Sequence, residues 1–169
     1  MTSMAMGVLR RDARGHGVRF ERRFDGTPED LWPFLTEAGH LSKWITPGVT
    51  IEAREGGRIR FPWPKEPHME GEITVYDPPS VLEYLWREGT VDSVVRLELR
   101  AEGAATLLVI DHSGLPEPDS RGFAAGWHSH LDWLALVMEG GGAGYDQDAR
   151  FRELAGLYGG QPPAPAAAG

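Results

Sequence analysis

Apolar and polar residues alternate along a long central part of the chain, which is the pattern of half-buried β-strands. Residues 18–23 form the first predicted strand, in which Val18 and Phe20 share a face. Turn residues at short intervals then separate six more predicted strands, over 49–54, 58–63, 69–76, 81–88, 91–100 and 105–112. Leu107 and Val109 make the last strand apolar on both faces, so we expect its second face to be covered or to form an interface.

Spacings of three and four between apolar residues mark the helices. Thr27 is a predicted N-cap before Pro28, which favours a helix over 28–37, and a second short helix is expected over 39–44. A long helix is predicted from a cap at Asp119 or Ser120 to about residue 139. Its apolar stripe, expected to face the sheet, comprises Phe123, Trp127, His130, Leu131, Leu134 and Met138.

Composition limits the classes of protein that this chain can represent. A length of 169 residues, with 41% hydrophobic and 25% charged residues, is that of one globular domain. The net charge of −8 disfavours nucleic acid and anionic lipid as partners. The absence of cysteine excludes disulfides and thiolate chemistry. We find no signal-peptide pattern and no apolar run long enough to span a membrane, so we expect no membrane insertion and a cytoplasmic location.

Four segments, in this order, carry a resemblance to a known family. They are GEITVYDPP (71–79), LEYLW (82–86), TLLVIDHSG (106–114) and Gly126-Trp127 with Leu131. Over residues 16–140 the chain resembles the activator-of-Hsp90-ATPase homology domain, of the START/Bet v 1-like (SRPBCC) superfamily. The resemblance implies an α+β helix-grip fold, in which a curved antiparallel sheet wraps around a long C-terminal helix and encloses an internal cavity.

The resemblance also divides the chain and limits its function. Residues 1–15 are then an N-terminal extension, 141–158 a C-terminal extension with a short helix over 145–157, and 159–169 a tail that we expect to be disordered. The superfamily includes lipid carriers, hormone receptors, polyketide cyclases and many bacterial proteins of unknown role. The asparagine- and tryptophan-rich motif of the N-terminal domain that stimulates the ATPase in eukaryotic Hsp90 activators is missing from this sequence, which argues against Hsp90 activation.

Aromatic side chains are the main candidates for the wall of the implied cavity, because six tryptophans are many for this length. The alternative is that each of them fills the core. The predicted cavity residues are Trp32, Trp44, Phe61, Trp63, Tyr84, Trp86, Leu97, Ile110, His112, Trp127, His130, Leu131 and Leu134.

Few residues suggest catalysis. His112, His130 and Tyr84 are placed facing inward, where each could orient a ligand or transfer a proton, although a histidine satisfied by a backbone carbonyl is the simpler reading. Glu72 is expected to face solvent. The pairs Glu66 with His68 and His128 with Asp132 are weak metal sites, because no third ligand accompanies either of them. No phosphate loop and no hydrolase motif occurs.

The sequence therefore predicts a protein that binds a small hydrophobic or aromatic molecule, without an assigned catalytic residue, metal or cofactor. One alternative is a polyketide cyclase or aromatase that uses the same cavity. A second is a chaperone-related interaction module. Oligomeric state, including a homodimer, stays open.

Overall fold

The computed structural model describes residues 5–159 and 164–165, which form one sheet with four helices. The strands are β1 (Val8–Asp12), β2 (Gly15–Asp25), β3 (Thr50–Ile51), β4 (Arg58–Phe61), β5 (Met69–Asp77), β6 (Val81–Glu88), β7 (Val91–Glu102), β8 (Ala105–Leu115) and β9 (Ala164–Pro165). The helices are α1 (Pro28–Thr36), α2 (Ala38–Trp44), α3 (Glu117–Met138) and α4 (Gln147–Tyr158). No helix among residues 5–159 is long and apolar enough to cross a membrane.

The sheet consists of the predicted meander, β3 to β8, and β2 pairs with the last strand of that meander, β8. Its strand order is β3-β4-β5-β6-β7-β8-β2-β1-β9, and every pairing is antiparallel except that of β9 with β1. Residues of one face meet across neighbouring strands, as in Leu97 opposite Ile110 and Phe20 opposite Ile110. This shared register gathers the apolar residues of each strand on the concave face, and α3 packs there. The helix-grip fold expected from the resemblance is thereby confirmed.

Local sequence signals explain where the helices begin. Thr27 caps α1 as predicted, and its hydroxyl accepts a hydrogen bond from the backbone N–H of Asp30 while the Asp30 carboxylate accepts one from Thr27 N–H. Helix α3 begins three or four residues earlier than expected: Pro116 is its N-cap, without a side-chain hydrogen bond, and neither Asp119 nor Ser120 caps it. Pro118 lies in the first turn, where its missing N–H would have no intrahelical partner and its fixed φ suits the helix.

The doubly apolar strand β8 has its second face covered by charged neighbours. Val109 is 1% exposed although it lies on the convex face, directly opposite Glu21 on β2 and Glu98 on β7. Around it Arg19 pairs with Asp111, and other arginines and glutamates of the same face also form ion pairs. The aliphatic stems of such side chains can cover apolar surface while their charges stay in water.

Helix α4 and the N-terminal residues are fastened by a buried polar network that the sequence did not predict. The Asp132 carboxylate of α3 accepts hydrogen bonds from Arg22 at 3.0 Å and from Arg150 of α4 at 3.0 Å. The hydroxyl of Tyr158 accepts a hydrogen bond from Gly7 N–H at 2.7 Å and lies 2.8 Å from Nδ1 of a buried histidine on α3. These contacts make α3 buried on two sides, against the sheet and against α4.

The ends of the chain differ from expectation where the structure describes them. Strand β1 extends the sheet into the segment before residue 16, because its backbone pairs with β2. Ala164–Pro165 pairs with β1, and Gly159 is the C-cap of α4, so these three residues depart from the disorder expected for 159–169. The other residues of that tail lie outside the described part of the chain.

Candidate functional site

A cleft of about 1140 Å³ opens beside α3 and is the candidate site. One face of α3 forms its floor. The loop after β4, the end of β6, the residues after α2, and the α3–α4 connection with the first half of α4 form its walls. Seven of its lining side chains are large aromatics from five different segments, namely Trp63, Trp86, Phe123, Trp127, Trp133, Tyr145 and Phe151.

These aromatic rings form a nearly continuous surface. The ring of Trp86 lies 5.7 Å from that of Trp127, 5.9 Å from that of Phe123 and 6.3 Å from that of Trp63. Toward α4, Trp133 stacks on Tyr145 with centroids 5.4 Å apart. Such spacings are those of favourable aromatic pairs, so the rings hold one another in place and leave the remaining faces for a ligand.

Two glycines leave the floor of the cleft bare. Gly122 and Gly126 lie four residues apart on α3, both line the cleft, and a Cβ added at either would meet no atom within 4 Å. Glycine inside a helix costs about 0.5–1 kcal/mol relative to alanine. No neighbouring atom requires glycine at these positions. The absence of side chains there does, however, keep the floor of the cleft open.

His112 lies behind the cleft wall, and both of its ring nitrogens form hydrogen bonds within the protein. Its Nδ1 accepts the indole N–H of Trp127 at 2.9 Å, so Nε2 carries the proton and donates it to Ser93 Oγ at 2.8 Å. Ser93 in turn donates to the carbonyl of Trp86 at 3.2 Å. Burial lowers the pKa of His112 to about 3. The imidazole is therefore a neutral bridge that positions two tryptophans of the wall, and it has no nitrogen left for a ligand.

His130, by contrast, lines the cleft. Its Nδ1–H donates to the carbonyl of Trp44 at 2.8 Å, which leaves the Nε2 lone pair as an acceptor, and the side-chain amide of Gln147 approaches this atom at 3.3 Å. Burial lowers its pKa to about 4. The ring lies between Trp63 and Trp133, at 5.8 and 6.1 Å. It presents a neutral hydrogen-bond acceptor between two aromatic faces.

Glu88 is the half-buried acid of the cleft. It ends β6, where it points to the same side as Trp86, and its carboxylate accepts the indole N–H of Trp63. Burial raises the pKa of Glu88, the Trp63 hydrogen bond opposes that rise, and the charge of Asp119 adds to it.

The structure divides the predicted cavity residues into two groups. Those that line the cleft are Trp63, Trp86, Trp127 and His130. Those that lie in the core, outside the cleft lining, are Trp32, Trp44, Phe61, Tyr84, Leu97, Ile110, His112, Leu131 and Leu134. Side chains of the sheet and of α3 meet across the space expected as an internal cavity, as in His112 of β8 and Trp127 of α3, whose ring centroids are 6.2 Å apart. The opening lies at its edge instead.

Several lining residues were missed by sequence reasoning. Trp133 and Tyr145 lie off the sheet-facing stripe, Glu88 looks like an ordinary strand end, and the α3–α4 connection carries no apolar period. The pair Gly122 and Gly126 was the usable signal, since two glycines at helical spacing inside a long helix indicate a face that must stay open.

The weak metal candidates gain no further ligand. His68 Nε2 lies 2.9 Å from Glu66 Oε1, and His128 Nε2 lies 3.7 Å from Asp132 Oδ2. In residues 5–159 and 164–165 no group of three or more metal-ligating side chains occurs. Glu72 is exposed and Tyr84 is buried, as the strand alternation predicted, and burial raises the pKa of Tyr84.

The fold and the cleft together define a helix-grip protein with an aromatic site at one end of the grip. A family model, described as "Activator of Hsp90 ATPase homolog 1-like protein", matches residues 25–139. The match covers more than half of the chain, so the protein belongs to this family. A search of curated proteins finds no match.

Solved structures with the same fold come from different settings. CalU16 from Micromonospora echinospora is 23% identical with a TM-score of 0.72, and the alignment covers 94% of this chain and 96% of that one. DynU16, a protein in the dynemicin biosynthetic locus, is 22% identical with a TM-score of 0.64, over 73% of this chain and 47% of that one. The Aha1 dimer from Colwellia psychrerythraea is 17% identical with a TM-score of 0.60, over 72% and 92%. At these identities the likeness establishes the fold alone.

Proposed function

We propose that this protein binds a small apolar or aromatic molecule in the cleft beside α3. The observation that carries the proposal is the wall of seven aromatic side chains around an open space of about 1140 Å³, with a floor kept free by Gly122 and Gly126. Ligand sites in proteins are typically clefts of roughly 300–1,000 Å³ with mostly apolar walls and a few polar groups. His130 Nε2 and the Glu88 carboxyl supply such polar groups.

The energetics permit useful affinity. A ligand that buries about 400 Å² of apolar surface gains on the order of 10 kcal/mol at ~25 cal/mol per Å². Association costs of several kcal/mol then leave dissociation constants in the micromolar to millimolar range. Ring stacking on Trp86 or Trp133 favours planar ligands within that class.

A cyclase or aromatase is the second candidate, and His130 is the residue that favours it. Its neutral imidazole presents the Nε2 lone pair to the cleft, where the Gln147 amide is its one neighbour within hydrogen-bond distance in the described structure, so it could accept a proton from a bound chain that displaces this amide. His112 and Tyr84, the other sequence candidates, lie outside the cleft lining. A related protein in a biosynthetic locus fits this candidate. His130→Asn would then retain binding and lose turnover.

A chaperone-related interaction module is the third candidate, and its support is the family description alone. An interaction module of this kind would not require an aromatic cleft. A protein whose cleft binds no small molecule would favour it over the other two.

Tryptophan fluorescence tests the proposal. We expect saturable quenching by at least one member of a panel of fatty acids, flavonoids and polycyclic phenols. Gly126→Phe fills the floor of the cleft and should weaken that response at least tenfold. Gly156→Phe is the matched control, because Gly156 is an exposed α4 glycine outside the cleft lining whose added Cβ also meets no atom within 4 Å. Equal responses from both variants, or none from the wild type, would refute binding in the cleft.

A further inference from the structure

Glu88 is the exception among the acids that the fold withdraws from water. In the described part of the chain six carboxylates are buried or half-buried, namely Glu83, Glu88, Glu98, Glu102, Asp111 and Asp132. The other five each form an ion pair with at least one arginine. Glu88 has only the neutral indole N–H of Trp63. A carboxylate removed from water is usually compensated by a cation, so this site lacks a counter-charge.

Trp63 lies next to two hydrogen-bond acceptors, the Glu88 carboxylate and the Nε2 atom of His130. It donates to Glu88 with its indole N–H, and its ring lies 5.8 Å from that of His130. The Nε2 of His130 is an acceptor because Nδ1–H is committed to the carbonyl of Trp44, and a ligand would take the place of the Gln147 amide that lies 3.3 Å from it. A group bound against Trp63 therefore lies near an anionic acceptor and a neutral acceptor.

The charged side chains of the cleft lining are mostly acidic, namely Glu88, Asp119, Asp146 and Asp148 against Lys65 and Arg152. Tryptophan faces attract cations through the ring quadrupole, and Trp63 and Trp86 lie 6.3 Å apart at the Glu88 end. Asp119 also lines the cleft there, exposed and without an ion pair among the described residues.

We infer that the cleft prefers a ligand in which a protonated amine is attached to an apolar or aromatic body, with the amine held by Glu88 and His130 against Trp63. This inference rests on the proposed function and names the chemical class of its ligand. The ammonium donates to both acceptors, and the apolar body lies along the aromatic wall toward Trp86 and Trp127.

Three isosteric probes test the inference by isothermal titration calorimetry at neutral pH. They share a naphthalene ring and differ in one group: 1-naphthylmethylamine is a cation, 1-naphthalenemethanol is neutral and 1-naphthoate is an anion. The wild type should bind the amine at least about tenfold more tightly than the alcohol, and the anion most weakly. Tighter or equal binding of the alcohol would overturn the inference and leave the proposed function intact.

Variants then locate the preference. Glu88→Gln keeps an acceptor for the Trp63 N–H and should bring amine and alcohol within about threefold of each other. Glu72→Gln is the control, because Glu72 is exposed, lies outside the cleft lining and changes the net charge equally. A Glu88→Gln protein that keeps the full preference overturns the assignment to Glu88. Failure of all three probes and of the ligand panel to bind the wild type would overturn the inference and the proposed function together.

Discussion

Replacing His112 with phenylalanine should destabilise the protein at neutral pH and have little effect in acid. The side chain is 1% exposed and bridges Trp127 Nε1 and Ser93 Oγ. Phenylalanine fills a similar space and satisfies neither group. Because a buried polar group left without its partner costs about 1–3 kcal/mol, we expect a loss of that size near pH 7.5.

At acid pH the wild type loses folding free energy because the buried His112 stays unprotonated, and the His112→Phe variant has no such loss. Burial lowers the pKa of His112 from 6.5 to about 3, so the unfolded chain takes up a proton below pH 6.5 that the folded protein does not. The free energy of unfolding therefore decreases as the pH is lowered from 6.5 toward 3, by about 1.4 kcal/mol per pH unit for one such group. At pH 4.5 the cost amounts to roughly 2–3 kcal/mol, which offsets the hydrogen bonds that His112 provides.

Urea unfolding of both proteins between pH 7.5 and 4.5 measures this difference. The free energies of unfolding should converge in acid. Trp127→Phe is the control: it also removes the indole hydrogen bond, but it retains His112 and should keep the wild-type pH slope. A difference between His112→Phe and wild type that stays constant over the whole range would refute a neutral, buried His112.

Three further predictions concern the rest of the fold. Asp132→Ala should cost about 3–5 kcal/mol, because it leaves Arg22 buried without its anion, whereas Glu102→Ala, which leaves only the exposed Arg23 without a partner, should cost less than about 1 kcal/mol; chemical denaturation compares them. Gly126→Ala should raise stability by about 0.5–1 kcal/mol with less than a threefold change in ligand affinity, and a decrease in stability would contradict an open floor. Deleting residues 160–169 removes from the described fold only the two-residue β9, so a fall of the melting temperature by more than about 4 °C would show a larger role for this tail.

The architecture was accessible from sequence because each strand repeats one simple pattern. Alternation assigned the face of Leu97, Ile110 and Tyr84, and the signals at Thr27 and Pro28 fixed the start of α1. Strand β1 escaped this reasoning. Its residues Val8–Asp12 are mostly polar, and backbone pairing with β2 places them in the sheet without an apolar period.

The site was less accessible, because an aromatic residue in the core and one in a cleft wall have the same local pattern. Trp44 is 1% exposed and donates to the carbonyl of Phe34, whereas Trp63 lines the cleft. Tertiary packing alone separates them. The position of α4 depends on Arg150 and Asp132, which are ordinary surface-type residues until the fold brings them together.

The indole N–H signals of the six tryptophans provide the most direct test of ligand binding in the cleft. Two-dimensional ¹⁵N–¹H NMR can follow each of them, once assigned, while the tightest binder of the panel is added. We predict saturable shifts for Trp63, Trp86, Trp127 and Trp133, unchanged signals for Trp32 and Trp44, and suppression of the shifts in Gly126→Phe. Shifts centred on Trp32 and Trp44, or no saturable shift with any compound, would contradict the account.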